Sequence, residues 1–141
     1  MTEVRAYQPG DEADVIALWN EVFPDDPPWN EPRAVIKRKL SVQPDLFFVA
    51  MDHGRVIGTV LAGFDGVRGW VHHLAVAQAA RRRGVGKQLM HAAELGLSAL
   101  GCPKLNLQVR ATNQSVVAFY QALGYAVEQR VSMSRKLDVA G

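Results

Sequence analysis

The stretch "WVHHLAVAQAARRRGVGKQL", residues 70–89, decides the fold because its apolar pattern changes partway along. Its first seven residues predict a strand, and from Gly84 to Leu100 the apolar residues recur at helical spacing. "KLNLQV", residues 104–109, then alternates as a strand does. A strand, a helix and a second strand in this order predict a parallel pair of strands joined by a helix.

The elements before this crossover predict antiparallel neighbours. "VRAY" (4–7) is typical of a first strand, and "DLFFVAM" (45–51) and "VIGTVLAGF" (56–64) predict a hairpin. Two amphipathic helices fit between the first strand and the hairpin, with Asp11 and Asn30 as their N-caps.

The end of the chain predicts one further helix and two strands. Asn113 is placed to cap a helix that ends at Gly124, and "YAVEQ" (125–129) and "VSMSRKL" (131–137) favour short strands. The resulting order is β-α-α-β-β-β-α-β-α-β-β. We therefore expect one mixed α/β domain over residues 1–141, with six to seven mostly antiparallel strands and about four helices.

Composition narrows the class of protein. The 141 residues suit one domain, and 48% apolar with 21% charged residues argues against disorder. A net charge of +2 is too small for a surface-wide nucleic-acid footprint, and a single cysteine excludes a disulfide-built scaffold. With neither a signal-peptide pattern at the start nor an apolar run of about 20 residues, we expect a cytoplasmic protein without a membrane partner.

The loop "RRRGVGK", residues 81–87, combines charge with backbone freedom at a helix start. Unpaired N–H groups, glycines and arginines together suit a phosphate group. A Walker A loop is excluded because Arg81 replaces its first glycine and Gln88 its hydroxyl residue, and Leu89 replaces the third glycine of a dinucleotide loop. Taken alone, the arginine run is also compatible with a solvated helix start.

Two motifs together resemble those of a known family. The pattern R-x-x-G-x-G after "LAV", and "NQSVVAFYQALGY" (113–125), resemble the GNAT superfamily of acetyl-CoA-dependent N-acetyltransferases. The direct resemblance covers about residues 70–137, and the first 65 residues match in element order only. It implies acetyl-CoA as cosubstrate, no metal, and direct attack of a primary amine on the thioester through a tetrahedral intermediate.

The resemblance implies roles for individual residues around the cosubstrate. Leu74, Ala75 and Val76 would pair their backbone with the pantetheine arm, and an N–H near Leu74 would steady the oxyanion. Asn113 would contact the cosubstrate as well as cap its helix. The pyrophosphate would be bound by the loop residues Arg81, Arg82, Arg83, Gly84, Val85, Gly86 and Lys87.

Tyr120 is implied as a cosubstrate contact and as the general acid for the departing thiolate. A free phenol titrates near ~10 and a thiol near ~8.5, so the phenol is protonated at neutral pH. On spacing alone, Tyr120 would equally suit a core position on an apolar helix face.

The base that deprotonates the amine is open. Relatives place a glutamate where this chain has Trp70 or Gln108. His72 is a candidate base because it shares the parity of Trp70 and Leu74, and regular alternation would turn His73 to the other face. A water relay ending on a carboxylate is an equal alternative. Residues in the loops that form the acceptor pocket of relatives are Asp25, Asp26, Trp29 and Asp65.

Two other function classes remain as alternatives. A non-catalytic acyl-CoA-binding regulatory module is compatible with the missing glutamates. A small nucleic-acid-binding domain is less favoured, because no recognition-fold signature accompanies the arginines. The histidines lack metal-ligand spacing. The acceptor is open between a small molecule and a protein amine, and a homodimer is common among the proteins that the chain resembles.

Overall fold

The computed structural model describes residues 2–139, and the chain divides into two compact units, residues 1–108 and 109–141. The first unit contains five strands, which are β1 (Glu3–Ala6), β2 (Phe47–Asp52), β3 (Arg55–Phe64), β4 (Gly69–Val76) and β5 (Leu105–Asn106). Its helices are α1 (Glu12–Val22), α2 (Pro32–Leu40) and α3 (Val85–Ala99). The second unit contains α4 (Gln114–Ala122). No helix within residues 2–139 has the length and apolar character needed to cross a membrane.

The five strands form one mixed sheet in the order β1-β2-β3-β4-β5. The first four pair antiparallel with their neighbours, and β4 pairs parallel with β5 across the helix α3. This confirms the mixed α/β architecture, the hairpin and the parallel crossover expected from the sequence. β5 is short, and its two residues pair with Gly69 and Trp70 at the start of β4.

Two adjacent residues of β3 show that helices cover both faces of the sheet. Successive residues of a strand point to opposite faces. A Cβ on Gly58 would lie 2.9 Å from the Leu89 side chain of α3, so that face carries α3. The Thr59 hydroxyl oxygen accepts a 2.8 Å hydrogen bond from the Trp19 indole of α1. The opposite face therefore carries α1.

The core beneath α1 and α2 is built around Phe47. Its side chain is fully buried, and its ring stacks on Tyr7 and Trp19 at centroid distances of 4.4 and 6.1 Å. Val35 and Ile36 of α2 belong to the same cluster. The first and second helices thus pack on one face of the sheet and position the loop between them.

The starts of these two helices differ in detail from the sequence prediction. Asn30 is not the N-cap of α2; the cap is Glu31, whose carboxylate accepts hydrogen bonds from the N–H groups of Arg33 and Ala34. The helix therefore begins one residue later than the sequence predicts, with Pro32 as its first residue. Asp11 does precede α1, but its side chain makes no cap bond to that helix.

Instead, the Asp11 carboxylate accepts both arms of the Arg5 guanidinium, at 2.8 and 2.9 Å, and the Gln8 N–H at 2.8 Å. The hydrogen bonds from Arg5 chiefly lower the pKa of Asp11. Because the pKa of Asp11 is lower in the folded protein than in the unfolded chain, its ionised form stabilises the fold at pH values above the unfolded-state pKa. That stabilisation is lost as the pH falls through the folded-state pKa.

Asp11→Asn is therefore expected to lower the free energy of unfolding by about 1–2 kcal/mol at pH 7 and by less at pH 3. Urea denaturation at both pH values measures the difference. The exposed Asp138 provides the control, and Asp138→Asn is expected to change stability little at either pH. An equal loss for Asp11→Asn at pH 3 and pH 7 would contradict the role given to the carboxylate.

The prediction of six to seven strands is wrong. Within the described part of the second unit, residues 125–129 and 131–137 form no strand. Val127, Val131 and Met133 are 71%, 88% and 88% exposed. Strand preference measures how well a side chain packs on a paired, half-buried surface, and these residues have no such surface here. The sheet of the described residues therefore has five strands.

Candidate active site

The loop between β4 and α3 has an unusual backbone. Arg82 has φ +67°, and Gly84, the N-cap of α3, has φ +76°. Glycine adopts this left-handed conformation freely, whereas an arginine is strained by it. Left-handed residues in a turn gather successive N–H groups, and the first N–H groups of a helix lack intrahelical partners. The loop therefore has the backbone features of an anion-binding site.

The cationic side chains of this loop fall into two groups. Arg81 donates from Nε to the carbonyl of Val76 at 3.3 Å, and Arg83 pairs with Asp52 of β2 at 2.8 Å. The Arg83 hydrogen bond is the main cause that lowers the pKa of Asp52. Among the described residues, Arg82 and Lys87 have no bonded acceptor. Arg81 and Arg83 thus anchor the loop, and the side chains of Arg82 and Lys87 are available to a ligand. The sequence contains no motif that points to Asp52 as the partner of Arg83.

One edge of β4 is open beside the loop. Because β5 pairs only with Gly69 and Trp70, no strand of the described chain pairs with residues 71–76 on that side. Leu74, Ala75 and Val76 lie in this open stretch. An unpaired strand edge presents N–H and C=O groups to an extended ligand, as a neighbouring strand would use them.

The regular alternation of β4 is interrupted at His73. His72 lies opposite Leu61 and Ala75 opposite Thr59, so two residues of β4 face one residue of β3. This is a β-bulge, and His73 has φ +52°. The expectation that the two histidines face opposite sides is therefore wrong. His72 shares its face with Ala75, and His73 contacts α1 on that same face.

The imidazole of His73 is held by aromatic rings and lies near a carboxylate. The ring centroids of Trp19 and Phe23 are 4.6 and 5.4 Å away, and Nε2 is 3.8 Å from Oδ2 of Asp26. Within residues 2–139, this buried nitrogen has no hydrogen-bond partner. Burial chiefly lowers the pKa of His73, and the Asp26 charge partly opposes that.

His72 has a different environment. His72 is more exposed than His73. Desolvation by neighbouring groups is the main cause that lowers its pKa, and the charge of Lys39 lowers it further. Lys39 donates to the carbonyls of Ala62 and Val42, and burial lowers the pKa of Lys39 to about 8. A cation approaching His72 would therefore meet a second cation on α2.

A cleft of about 210 Å³ opens between α1 and α2. Asp26 is its only lining residue among the four acceptor-pocket candidates, since Asp25, Trp29 and Asp65 lie outside the lining. The Asp65 carboxylate accepts the N–H groups of its own turn instead. The cleft is lined by Trp19, Asn20, Phe23, Pro24, Asp26, Pro27, Pro28, Asn30, Glu31 and Pro32.

The second unit holds the remaining two predicted site residues. The Asn113 side chain accepts the N–H of Val116 at 3.4 Å, which confirms its capping position. Tyr120 is 8% exposed, and burial raises its pKa to about 12. Its ring makes edge contacts with Phe119 and Tyr125. No cluster of three potential metal-ligating side chains occurs in the described chain.

The chain is similar to known acetyltransferases along nearly its whole length. The model of the acetyltransferase (GNAT) family matches residues 13–125. An acetyltransferase of Yersinia enterocolitica is 39% identical, covering 97% of this chain and 96% of that protein. One from Sodalis glossinidius is 40% identical over 95% and 94% of the two chains.

Solved structures agree on the fold. Ard1 from Thermoplasma volcanium superposes with a TM-score of 0.79 at 23% identity, over 90% of this chain and 84% of that one. The aminoglycoside N-acetyltransferase AAC(6')-Iy, solved in complex with CoA, also gives 0.79 at 24% identity, over 96% and 95%. At these identities the likeness establishes the architecture.

Proposed function

The chain belongs to the acetyltransferase (GNAT) family, and from that premise we propose that it is an N-acetyltransferase that transfers an acetyl group from acetyl-CoA to a primary amine. The family model matches residues on both sides of the boundary between the two units, which supports treating residues 1–141 as one acetyltransferase domain. The observation that carries the proposal is the open edge of β4 leading into a left-handed loop and a helix start.

These features fit the parts of acetyl-CoA in sequence. The open backbone at Leu74–Val76 suits the amides of a pantetheine arm, apart from the Val76 carbonyl, which already accepts a hydrogen bond from Arg81. The N–H groups of residues 84–87 suit a pyrophosphate, and the Arg82 and Lys87 side chains supply positive charge. In this proposal Arg81 and Arg83 keep the loop in shape through Val76 and Asp52 rather than bind phosphate themselves.

The chemistry proceeds by direct attack. The amine, once deprotonated by a base on the protein, forms a bond to the thioester carbon, and a backbone N–H near Leu74 stabilises the oxyanion. The carbon–sulfur bond then breaks. Tyr120 gives its phenolic proton to the departing thiolate, and its raised pKa keeps that proton in place throughout the neutral range.

A thiol-release assay tests the function. Acetyl-CoA is incubated with the protein and a panel of primary amines that includes aminoglycosides, polyamines, amino acids and peptides, and free CoA thiol is followed. We expect release with at least one amine, together with a rise in Tm on adding acetyl-CoA. Acetyl-CoA binding without release of CoA thiol on any amine would favour the acyl-CoA-binding regulatory module. Salt-sensitive nucleic-acid binding that CoA does not affect would favour the small nucleic-acid-binding domain.

The backbone of residues 81–87 leads to a second prediction, about the affinity for acetyl-CoA. Gly84→Val adds a side chain where φ is +76° and where phosphate would approach the backbone, so we expect Kd for acetyl-CoA to rise about tenfold or more. Adding Arg82→Ala should weaken binding further. Isothermal titration calorimetry measures both.

The matched control lies at the other end of the same helix. Gly101 has φ +80° and equally open surroundings, so Gly101→Val carries a similar backbone strain away from the loop. It should leave acetyl-CoA affinity unchanged. Wild-type affinity in the Gly84→Val, Arg82→Ala double variant would remove this loop from the binding site.

A further inference from the structure

The cleft and the bulge in β4 meet at one carboxylate. Asp26 lines the cleft, and its Oδ2 lies 3.8 Å from Nε2 of His73, which is buried and does not itself line the cleft. We propose that these two residues form the amine-recognition pair, in which Asp26 binds the acceptor's ammonium group and His73 accepts its proton. This inference rests on the proposed N-acetyltransferase function, and it assigns the base that the missing glutamates leave open.

The shape of the cleft restricts the acceptor. Its volume of about 210 Å³ is below the roughly 300–1,000 Å³ of typical ligand sites, so it admits the amine end of a compact molecule. Four prolines, whose φ angles are fixed by their rings, stand among its walls. The acceptor class that fits is a small molecule carrying a primary ammonium group, which pairs with the Asp26 carboxylate.

His73 is held in place without using its Nε2 atom. Trp19 and Phe23 pack on its ring, and its carbonyl accepts a 2.9 Å hydrogen bond from the Thr59 hydroxyl. The same hydroxyl accepts the indole N–H of Trp19. A buried nitrogen without a partner is costly and therefore calls for an explanation. Proton acceptance beside Asp26 supplies one, because the imidazolium formed there would face a carboxylate.

The proton balance favours an imidazole over a carboxylate alone. A carboxylic acid ordinarily titrates near ~3.9 and an imidazole near ~6.5, so imidazole is the better acceptor for an ammonium proton. The ammonium proton passes to the Asp26 carboxylate and from there to the buried Nε2 of His73, and the freed electron pair of the nitrogen forms the bond to the acetyl carbon. The carbon–sulfur bond breaks, the thiolate takes the proton of Tyr120, and the imidazolium returns its proton to water. The second proton that the nitrogen loses on becoming an amide restores the Tyr120 phenol through water.

His73 suits this role better than His72. Asp26 faces His73 and attracts an ammonium group, whereas the Lys39 ammonium acts on His72 and repels one. The titratable groups that act on His73 are Asp26 and His72, and its aromatic neighbours carry no charge. Loss of kcat at acidic pH is therefore expected as His73 becomes protonated, with an apparent pKa below the ordinary ~6.5.

Steady-state kinetics with the best amine of the thiol-release panel tests the pair. His73→Gln is expected to lower kcat about 100-fold or more and to abolish the acidic limb, with Kd for acetyl-CoA unchanged. Asp26→Asn is expected to raise KM for the amine about tenfold or more. The controls His91→Gln and Asp45→Asn, which change exposed side chains elsewhere, should match the wild type. Full kcat in His73→Gln, or the loss of kcat in His72→Gln alone, would overturn the proposal.

A second measurement does not depend on turnover. NMR titration of the His73 ring protons is carried out on the wild type and on Asp26→Asn, with propylamine as the probe. Propylamine is expected to shift the His73 resonances and apparent pKa in the wild type and to have no effect in Asp26→Asn. Unchanged His73 signals in both proteins would refute the pair, whereas a shift without any thiol release would refute the enzymatic function and leave the amine site standing.

Discussion

Tyr120→Phe is expected to lower kcat about 100-fold or more while Kd for acetyl-CoA changes little. General acid catalysis contributes about 10²–10⁴-fold to a rate, and the substitution removes the proton and keeps the ring. Tyr120 is buried with its pKa raised to about 12, so the wild-type side chain is a proton donor at every pH at which the enzyme would be assayed. Single-turnover thiol release separates this step from binding.

Tyr125→Phe is the control for this experiment. Tyr125 contacts the Tyr120 ring edge-on, and phenylalanine keeps the ring that makes this contact. Its kcat should stay near the wild-type value. If Tyr120→Phe retained full activity with the same amine, Tyr120 would have no part in protonating the thiolate and would be a core tyrosine.

Phe47→Ala is expected to cost about 3–5 kcal/mol of unfolding free energy. Phe47 is fully buried between Tyr7 and Trp19, so the substitution removes two ring stacks and leaves a cavity under α1. Urea denaturation measures the loss. Because total stabilities are commonly about 5–15 kcal/mol, the variant is expected to lie close to the limit of folding at 37 °C.

Two further variants make this result specific. Leu95→Ala removes an apolar side chain that is 59% exposed on α3 and should change stability by about 0.5 kcal/mol or less. Phe47→Leu keeps most of the buried volume and should fall between the wild type and Phe47→Ala. A loss below about 1 kcal/mol for Phe47→Ala would show that the stack contributes little.

The crossover that decides the fold was predictable because its signal is local. A period of two gives way to a period of 3.6 between Val76 and Gly84, and each period is set by the geometry of one element. The N-cap of α2 is Glu31, one residue after the Asn30 that the sequence predicts. Both side chains are polar, and only the three-dimensional path of the loop decides which reaches the N–H groups.

The two C-terminal strands were wrong for a different reason. A strand requires a partner that is distant in sequence, and the alternation around Val127 and Val131 does not say whether one is present. The exposure of both side chains shows that the apolar pattern finds no sheet to pack on in this structure.

The candidate site was predictable in part. The glycines, the arginine run and Tyr120 belong to contiguous motifs, so their identity follows from order and spacing. The bulge at His73 interrupts the alternation of side chains along β4. A sequence does not show where one strand has an extra residue opposite its neighbour, so this bulge could not be predicted. The pair "HH" was visible, but its orientation toward Asp26 depends on that one extra residue.

The cleft proposed for the acceptor amine and the loop proposed for acetyl-CoA are built from different parts of the chain. Most of the wall residues lie in the segment between α1 and α2, with Trp19 and Asn20 in α1 and Pro32 at the start of α2, whereas the loop proposed for acetyl-CoA follows β4. Since prolines are restricted in the unfolded chain too, this segment loses little conformational entropy when it becomes ordered. Because the two segments are separate in the sequence, substituting one proline would change the proposed acceptor cleft and leave the loop proposed for acetyl-CoA as it is.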